Sequence, residues 1–172
     1  MPMSMSISVR EYVCRLQRVL QTHLLAAHGI AHAPSEHTGV FVDAGADAAI
    51  KVGSIGVQVR HRLTTHGFAL NVTRAPLAWF DRIVACGLAD VKAGAIAGRS
   101  TRVQEATDAG AAAGVRGEVA GVVDVFGRVM GREMVRLDVS EGDEVTAEIV
   151  RLEESAREMQ RRTPAPLKPS LS

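Results

Sequence analysis

Residues 49–72, AIKVGSIGVQVRHRLTTHGFALNV, alternate apolar with polar or small side chains twice over. Ile55, Val57 and Val59 share one parity against Gly56, Gln58 and Arg60. Phe68, Leu70 and Val72 repeat the pattern after a basic loop at 61–65. A period of two fits an extended strand with one buried face, so the segment predicts an antiparallel hairpin. Ile50 and Val52 fall on the opposite parity from Ile55. The change comes at Gly53 and Ser54, which predicts a β-bulge. Lys51 enters among apolar neighbours and must be paired, turned to water or kept for chemistry.

Upstream, Ser8 and Glu11 form an S-x-x-E capping box. Val13, Leu16, Leu20, Leu24 and Ala27 follow at helical spacing, and Gly29 stands where a left-handed cap would close the helix. TGVFVD, residues 38–43, is a β-branched run that predicts a strand. Residues 93–117 are rich in Ala, Gly and Thr with no sustained period, which predicts a flexible connection. Val119, Val122, Phe126, Val129 and Met130 predict a second helix, and Val145, Ile149, Leu152, Ala156 and Met159 a third. The expected organisation is a partial catalytic domain over 1–97, a connection over 98–117, helices over 118–162 and a disordered Pro/Ser tail over 163–172.

Composition excludes several classes. Hydrophobic residues make up 47% of the 172, but aromatics only 3%, so the core must be aliphatic. The net charge of +1 gives no reason to expect a nucleic acid or an anionic membrane as partner. No apolar run approaches the roughly 20 residues of a membrane span. Two cysteines, Cys14 and Cys86, read as a reducing compartment. The opening MPMSMSISVREYVCRLQRVL bears the Ser and Arg of a transit peptide, but its helix pattern continues into the next element and reads as fold.

Few residues could carry chemistry. Cys86 in VACGL is followed by a glycine that could leave its sulfur with little steric cover, and the amides of Gly87 and Leu88 could face an oxyanion; a packed, inert thiol is the alternative. Lys51 could lower a nearby thiol's pKa or lay its stem along the sheet. His66 opens a strand beside a glycine, and Asn71 needs partners if buried. Cys14, beside the helix stripe, reads as structural. The loop RHRLTTH could dock an acidic carrier domain or form a solvated turn. His23, His28, His32 and His37 show no metal-ligand spacing, there is no P-loop, and GSIG is too short for a dinucleotide fingerprint.

Together these stretches resemble the lipoyl(octanoyl) transferase family. The pattern is K-x-x-S-x-G at Lys51, Ser54 and Gly56, then TTHGFALNV, then Cys86–Gly87, within roughly residues 8 to 97. The resemblance implies transfer of an octanoyl group from acyl carrier protein to a lysine of lipoyl domains, through a thioester on Cys86. Lys51 would act as acid and base and lower the thiol's pKa. Ser54, Ile55, Gly56, His66, Gly67, Phe68 and Ala69 would line the acyl pocket. No metal or cofactor is implied. The implied partners are octanoyl-acyl carrier protein, the lipoyl domains of 2-oxoacid dehydrogenase complexes and the glycine cleavage H protein, with no nucleic acid or membrane. The implied location is the mitochondrion, with the bacterial cytoplasm as alternative.

The implied fold is α/β, a mixed sheet flanked by helices like the catalytic domain of lipoate and biotin protein ligases, truncated at the N-terminus. The family's R-G-G-x-x-T-x-H-G-P-G segment has no match here, and Ala85 replaces its usual proline. The alternative is therefore a truncated, non-catalytic relative that needs a missing half. An ATP-dependent lipoate or biotin ligase fits less well, since such an enzyme needs no nucleophilic cysteine.

Overall fold

A computed structural model of the chain describes residues 7–45, 49–61, 63–83, 91–100 and 108–162. Two compact units emerge, Met1–Glu133 and Met134–Ser172.

The first unit begins with α1, Val9–His28. The Ser8 side chain accepts from the Glu11 amide at 3.1 Å, the expected cap. The Glu11 carboxylate accepts from Arg15 Nε at 2.9 Å, one turn further on. Gly29 closes the helix at φ 68°, and the amides of Gly29 and Ile30 satisfy the carbonyls of Leu25 and Leu24. Leu16, Val19, Leu20 and Leu24 form its buried stripe.

Five strands follow: β1 His32–Ala33, β2 Val40–Asp43, β3 Ala49–Arg60, β4 Leu63–Leu70 and β5 Lys92–Ala93. The order β1-β2-β3-β4 is antiparallel throughout, and β5 joins β3 in parallel at Ile50 and Lys51. The sheet is mixed, as expected. The hairpin register runs from Gly53↔Leu70 to Arg60↔Leu63, so the connection is shorter than the expected loop 61–65. His61 turns at φ 49°, and Thr64 and Thr65 stay in the ladder, where β-branched side chains fit a pleated surface.

The core joins Leu20 and Leu24 of α1 to Val40, Val42, Val52, Val72, Ile96 and Ala97, with Ile55, Phe68 and Leu70 packed against it. It is aliphatic almost throughout. Two sequence expectations need correction here. Residues 94–97 are buried, so the start of the run 93–117, expected as a flexible connection, belongs to the core. Helix α3, Asp108–Met130, starts inside the segment expected as a connection over 98–117 and packs on α1. Alanine is the strongest helix former, so an Ala-rich run can be helical without a clear apolar period. The short α2, Leu77–Phe80, lies between β4 and β5.

The second unit holds a 3-10 turn, Val139–Glu141, and α4, Glu144–Arg162, where the third helix was expected. Asp143 caps α4: its Oδ1 accepts from the Thr146 amide at 2.7 Å. That bond, and the Thr146 side chain, hold the Asp143 carboxyl below its usual range. The tail 163–172 lies outside the described residues.

A depressed carboxyl pKa means stability that is present above the unfolded value of 3.8 and lost as pH falls through the folded value. Helix signal should therefore fall on acidification below about pH 4. Asp143→Asn, a cap that does not titrate, should fall less over the same window by circular dichroism. Identical acid profiles for the two chains would show that the cap contributes nothing.

Candidate active site

The site is set by which sheet face each strand residue occupies. Val40 and Val42 lie in the core beside Leu20 and Leu24. Phe41, between them, therefore points to the other face. Its cross-strand partner is Lys51, so Lys51 shares that face. Further along β3 the pairs alternate. Ile55↔Phe68 and Val57↔His66 face the helices, while Ser54↔Ala69 and Gly56↔Gly67 face away from them.

Lys51 and Ser54 would occupy opposite faces in an unbroken strand, because their separation is odd. The break is visible in the register. Val40 pairs with Gly53 but Phe41 with Lys51, so β3 carries one extra residue, Val52, in a bulge. Val52 is in the core, and a side-chain carbon on Gly53 would also meet Leu20 and Val40 there. Two successive positions thus point inward, and Lys51 is turned to the face of Ser54, Gly56, Gly67 and Ala69. The expected bulge is one residue removed from the Gly53–Ser54 step.

Lys51 is half-buried and well constrained. Gly39, at φ 138°, lets the lysine stem pass, since a Cβ there would lie 2.5 Å from Lys51 Cε. Gln17 of α1 donates to the Gly39 carbonyl at 2.9 Å and fixes that crossing. The ammonium sits 5.7 Å from the centroid of the Phe41 ring, a cation–π contact of about 0.5–1 kcal/mol in such a setting.

Residues 93 and 94 lie beside the lysine. Ala93 is the parallel partner of Lys51, and the Gly94 amide donates to the Lys51 carbonyl at 2.8 Å. Asn71 Nδ2 donates to the Gly94 carbonyl at 2.9 Å, which meets the need for partners raised by its half-buried amide. Ile96 and Ala97 then donate to the carbonyls of Asn71 and Val72, both at 2.9 Å. Gly94 must be small, because a Cβ would overlap the Ile50 side chain.

Ser54, Gly56, Gly67 and Ala69 form a strip of small residues ahead of Lys51. A Cβ on Gly56 or Gly67 would meet nothing within 4 Å, so the floor is open above both. At its far end Gln58, Arg60, His61, Leu63 and Thr65 surround a depression of about 260 Å³. The expected acyl-pocket residues divide between two faces. Ile55 and Phe68 pack on the core. His66 meets Tyr12 edge-on at 5.5 Å and stacks on Phe126 at 6.0 Å, on the helix side. Cys86 and Gly87 lie outside the described residues. Cys14, expected as structural, is exposed on α1.

Among the described residues, His23, His28 and Glu118 are the group able to hold a metal, and they lie between α1 and α3. Sequence reasoning passed over them. Two histidines five apart on one helix are a weak signal, and their carboxylate partner lies ninety positions downstream.

A mixed sheet flanked by helices is the α/β arrangement implied by the resemblance to the octanoyltransferases. The chain is also similar in sequence to octanoyltransferases. The chain is 40% identical over 80 residues to the octanoyltransferase of Paramagnetospirillum magneticum, covering 46% of this chain and 37% of that protein. It is 38% identical over 81 residues to the mitochondrial octanoyl-[acyl-carrier-protein]:protein N-octanoyltransferase of Danio rerio, covering 47% and 33%. It is 38% identical over 86 residues to the probable octanoyltransferase of Schizosaccharomyces pombe, covering 49% and 36%. No protein-family model matches the chain. About half of this chain is thus similar in sequence to octanoyltransferases, and the chain spans about a third of the length of these relatives.

Gly39→Ala should be costly, because the backbone is at positive φ and the new carbon would strike Lys51. The expected loss is about 1–3 kcal/mol, read as a lower urea midpoint. Gly56→Ala, with open space above it, should cost less than about 1 kcal/mol. Equal losses at both positions would refute this account of Lys51's seat.

Proposed function

We propose that this chain carries an octanoyl-transfer site of protein lipoylation, with octanoyl-acyl carrier protein as donor and a lipoyl-domain lysine as acceptor. The observation that carries the reading is the placing of Lys51 on the same sheet face as Ser54, Gly56, Gly67 and Ala69, within a sequence similar to octanoyltransferases. The Danio rerio relative's name supplies the donor and the protein acceptor.

In this reading Cys86 is the nucleophile. Its thiolate attacks the acyl carbonyl, the new C–S bond forms, and the carrier's thiol leaves with a proton. The acceptor amine then attacks the Cys86 thioester, the C–N bond forms, and Cys86 is released as the thiol. Lys51 shuttles the protons, taking one from the Cys86 thiol and returning it to the departing sulfur. A cation near the sulfur also favours the thiolate. The parallel pairing of Lys51 with Ala93 supports the role, because it ties the chain seven residues after Cys86 to the lysine. Seven residues reach at most about 25 Å when extended.

The mitochondrial Danio rerio relative supports a mitochondrial location, and the bacterial relatives support a bacterial cytoplasm as the alternative. A second reading is favoured by the open space above Gly56 and Gly67. In it, the chain supplies one wall of the acyl site and turns over only when a further segment supplies the other.

Intact-mass measurement after mixing the chain with octanoyl-acyl carrier protein tests the first half-reaction. An added octanoyl group is expected, absent in Cys86→Ser and formed about 10²- to 10⁴-fold more slowly in Lys51→Ala. No adduct on a folded chain would reject catalysis by this chain alone. An adduct that persists in Cys86→Ser would reject the assigned nucleophile.

A further inference from the structure

His23 breaks the pattern of α1. The inward stripe of that helix is Leu16, Val19, Leu20 and Leu24, and His23 lies within it at 2% exposure. The His28 side chain, in the last turn, is 1% exposed. Both direct Nε2 at one oxygen of Glu118 on α3, at 2.7 and 2.8 Å. The rings stand 78° apart, so the two nitrogens approach that oxygen from different directions. The other ring nitrogen of His28 meets Ser100 Oγ at 2.9 Å. Gly121 makes the approach of α3 possible, since a Cβ there would lie 2.9 Å from His23 Cε1.

Two imidazoles donating to one carboxylate is a satisfied arrangement without any ion. Several features go beyond what packing requires. The three ligand atoms lie within 4.8 Å of one another and come from two helices. His28 also has the outer partner typical of a metal-bound imidazole. In a metal-bound form, with its proton on Nδ1, it would donate to Ser100 and turn the Nε2 lone pair toward the ion.

We propose that His23, His28 and Glu118 form a transition-metal site suited to Zn²⁺, clamping α3 onto α1. The ligands are the two Nε2 atoms and a Glu118 carboxylate oxygen, with a water in the fourth position. Ligands on tetrahedral Zn²⁺ at about 2.0–2.2 Å sit about 3.3–3.5 Å apart, so each nitrogen–oxygen separation opens by roughly 0.6 Å. Small side-chain rotations supply that. Two imidazole nitrogens select zinc and its neighbours over Mg²⁺ and Ca²⁺, which prefer oxygen ligands. The site lies on the helix side of the sheet, away from Lys51, and does not depend on the octanoyl-transfer reading.

The test is titration of the full chain, freed of metal with a chelator, using Co²⁺ as a visible probe and then Zn²⁺. One equivalent of Co²⁺ should give ligand-field bands that Zn²⁺ displaces, and Zn²⁺ should raise the melting temperature. Glu118→Gln keeps the side-chain shape and should lose both effects, as should His28→Gln. Ser100→Ala should weaken binding about 10- to 100-fold. Absence of stoichiometric binding to the native chain would overturn the proposal. So would native-like binding by a folded Glu118→Gln or His28→Gln chain, since the metal would then rest on other side chains.

Discussion

In a strand, neighbours alternate between faces, so a polar residue can leave the core side only if the count is broken. The extra residue in β3 at Val52 breaks it here. Val52 and Gly53 both point into the α1 side of the sheet, where Leu20 and Val40 meet them. Lys51 is then released to the face of Ser54 and Gly56. Without that bulge the ammonium would point at an aliphatic core, with a desolvation penalty of several kcal/mol. Gly53 keeps this point of the sheet close to the helix, since a carbon added there would lie 3.1 Å from Leu20 and 3.2 Å from Val40.

Around this break, glycines and one amide keep the lysine's surroundings in place. Gly39 clears the stem, and Gly94 clears Ile50 while its amide binds the Lys51 carbonyl. Asn71 holds Gly94 from the other side. A strand of only two residues, β5, would be marginal alone. The bonds from Ile96 and Ala97 to the carbonyls of Asn71 and Val72, just past β4, hold the residues that follow it. Packing and hydrogen bonding here serve one geometric purpose, a lysine held at the junction of three strands.

What could be read in advance follows from how local each determinant is. Helix α1 was legible because its cap, stripe and left-handed glycine lie within one segment, and the structure shows all three. The hairpin and its bulge were legible from parity, although the loop proved shorter, since Thr64 and Thr65 suit either a loop or a ladder. The sequence did not reveal α3 before Val119, because an Ala/Gly run has no apolar period to detect. Nor could it pair His23 with Glu118, which meet only through tertiary packing across 95 positions. Lining residues assigned by resemblance lie together on the hairpin, yet alternation sends His66, Ile55 and Phe68 to the helix side.

That division bears on what the open face can bind. An octanoyl chain gains roughly 0.8 kcal/mol per buried methylene, about 5 kcal/mol for the whole tail when fully enclosed. A flat floor of Gly56, Gly67 and Ala69 touches the tail from one side and recovers about half of that at best. The helix-side residues cannot add to it, because Ile55 and Phe68 are already packed against the core and their burial stabilises the fold. Glycine in the floor leaves room for an alkyl chain but contributes little contact. A strip of this shape is efficient only as one wall of a two-walled slot. In the proposed octanoyl-transfer reading, this face would supply one wall of such a slot.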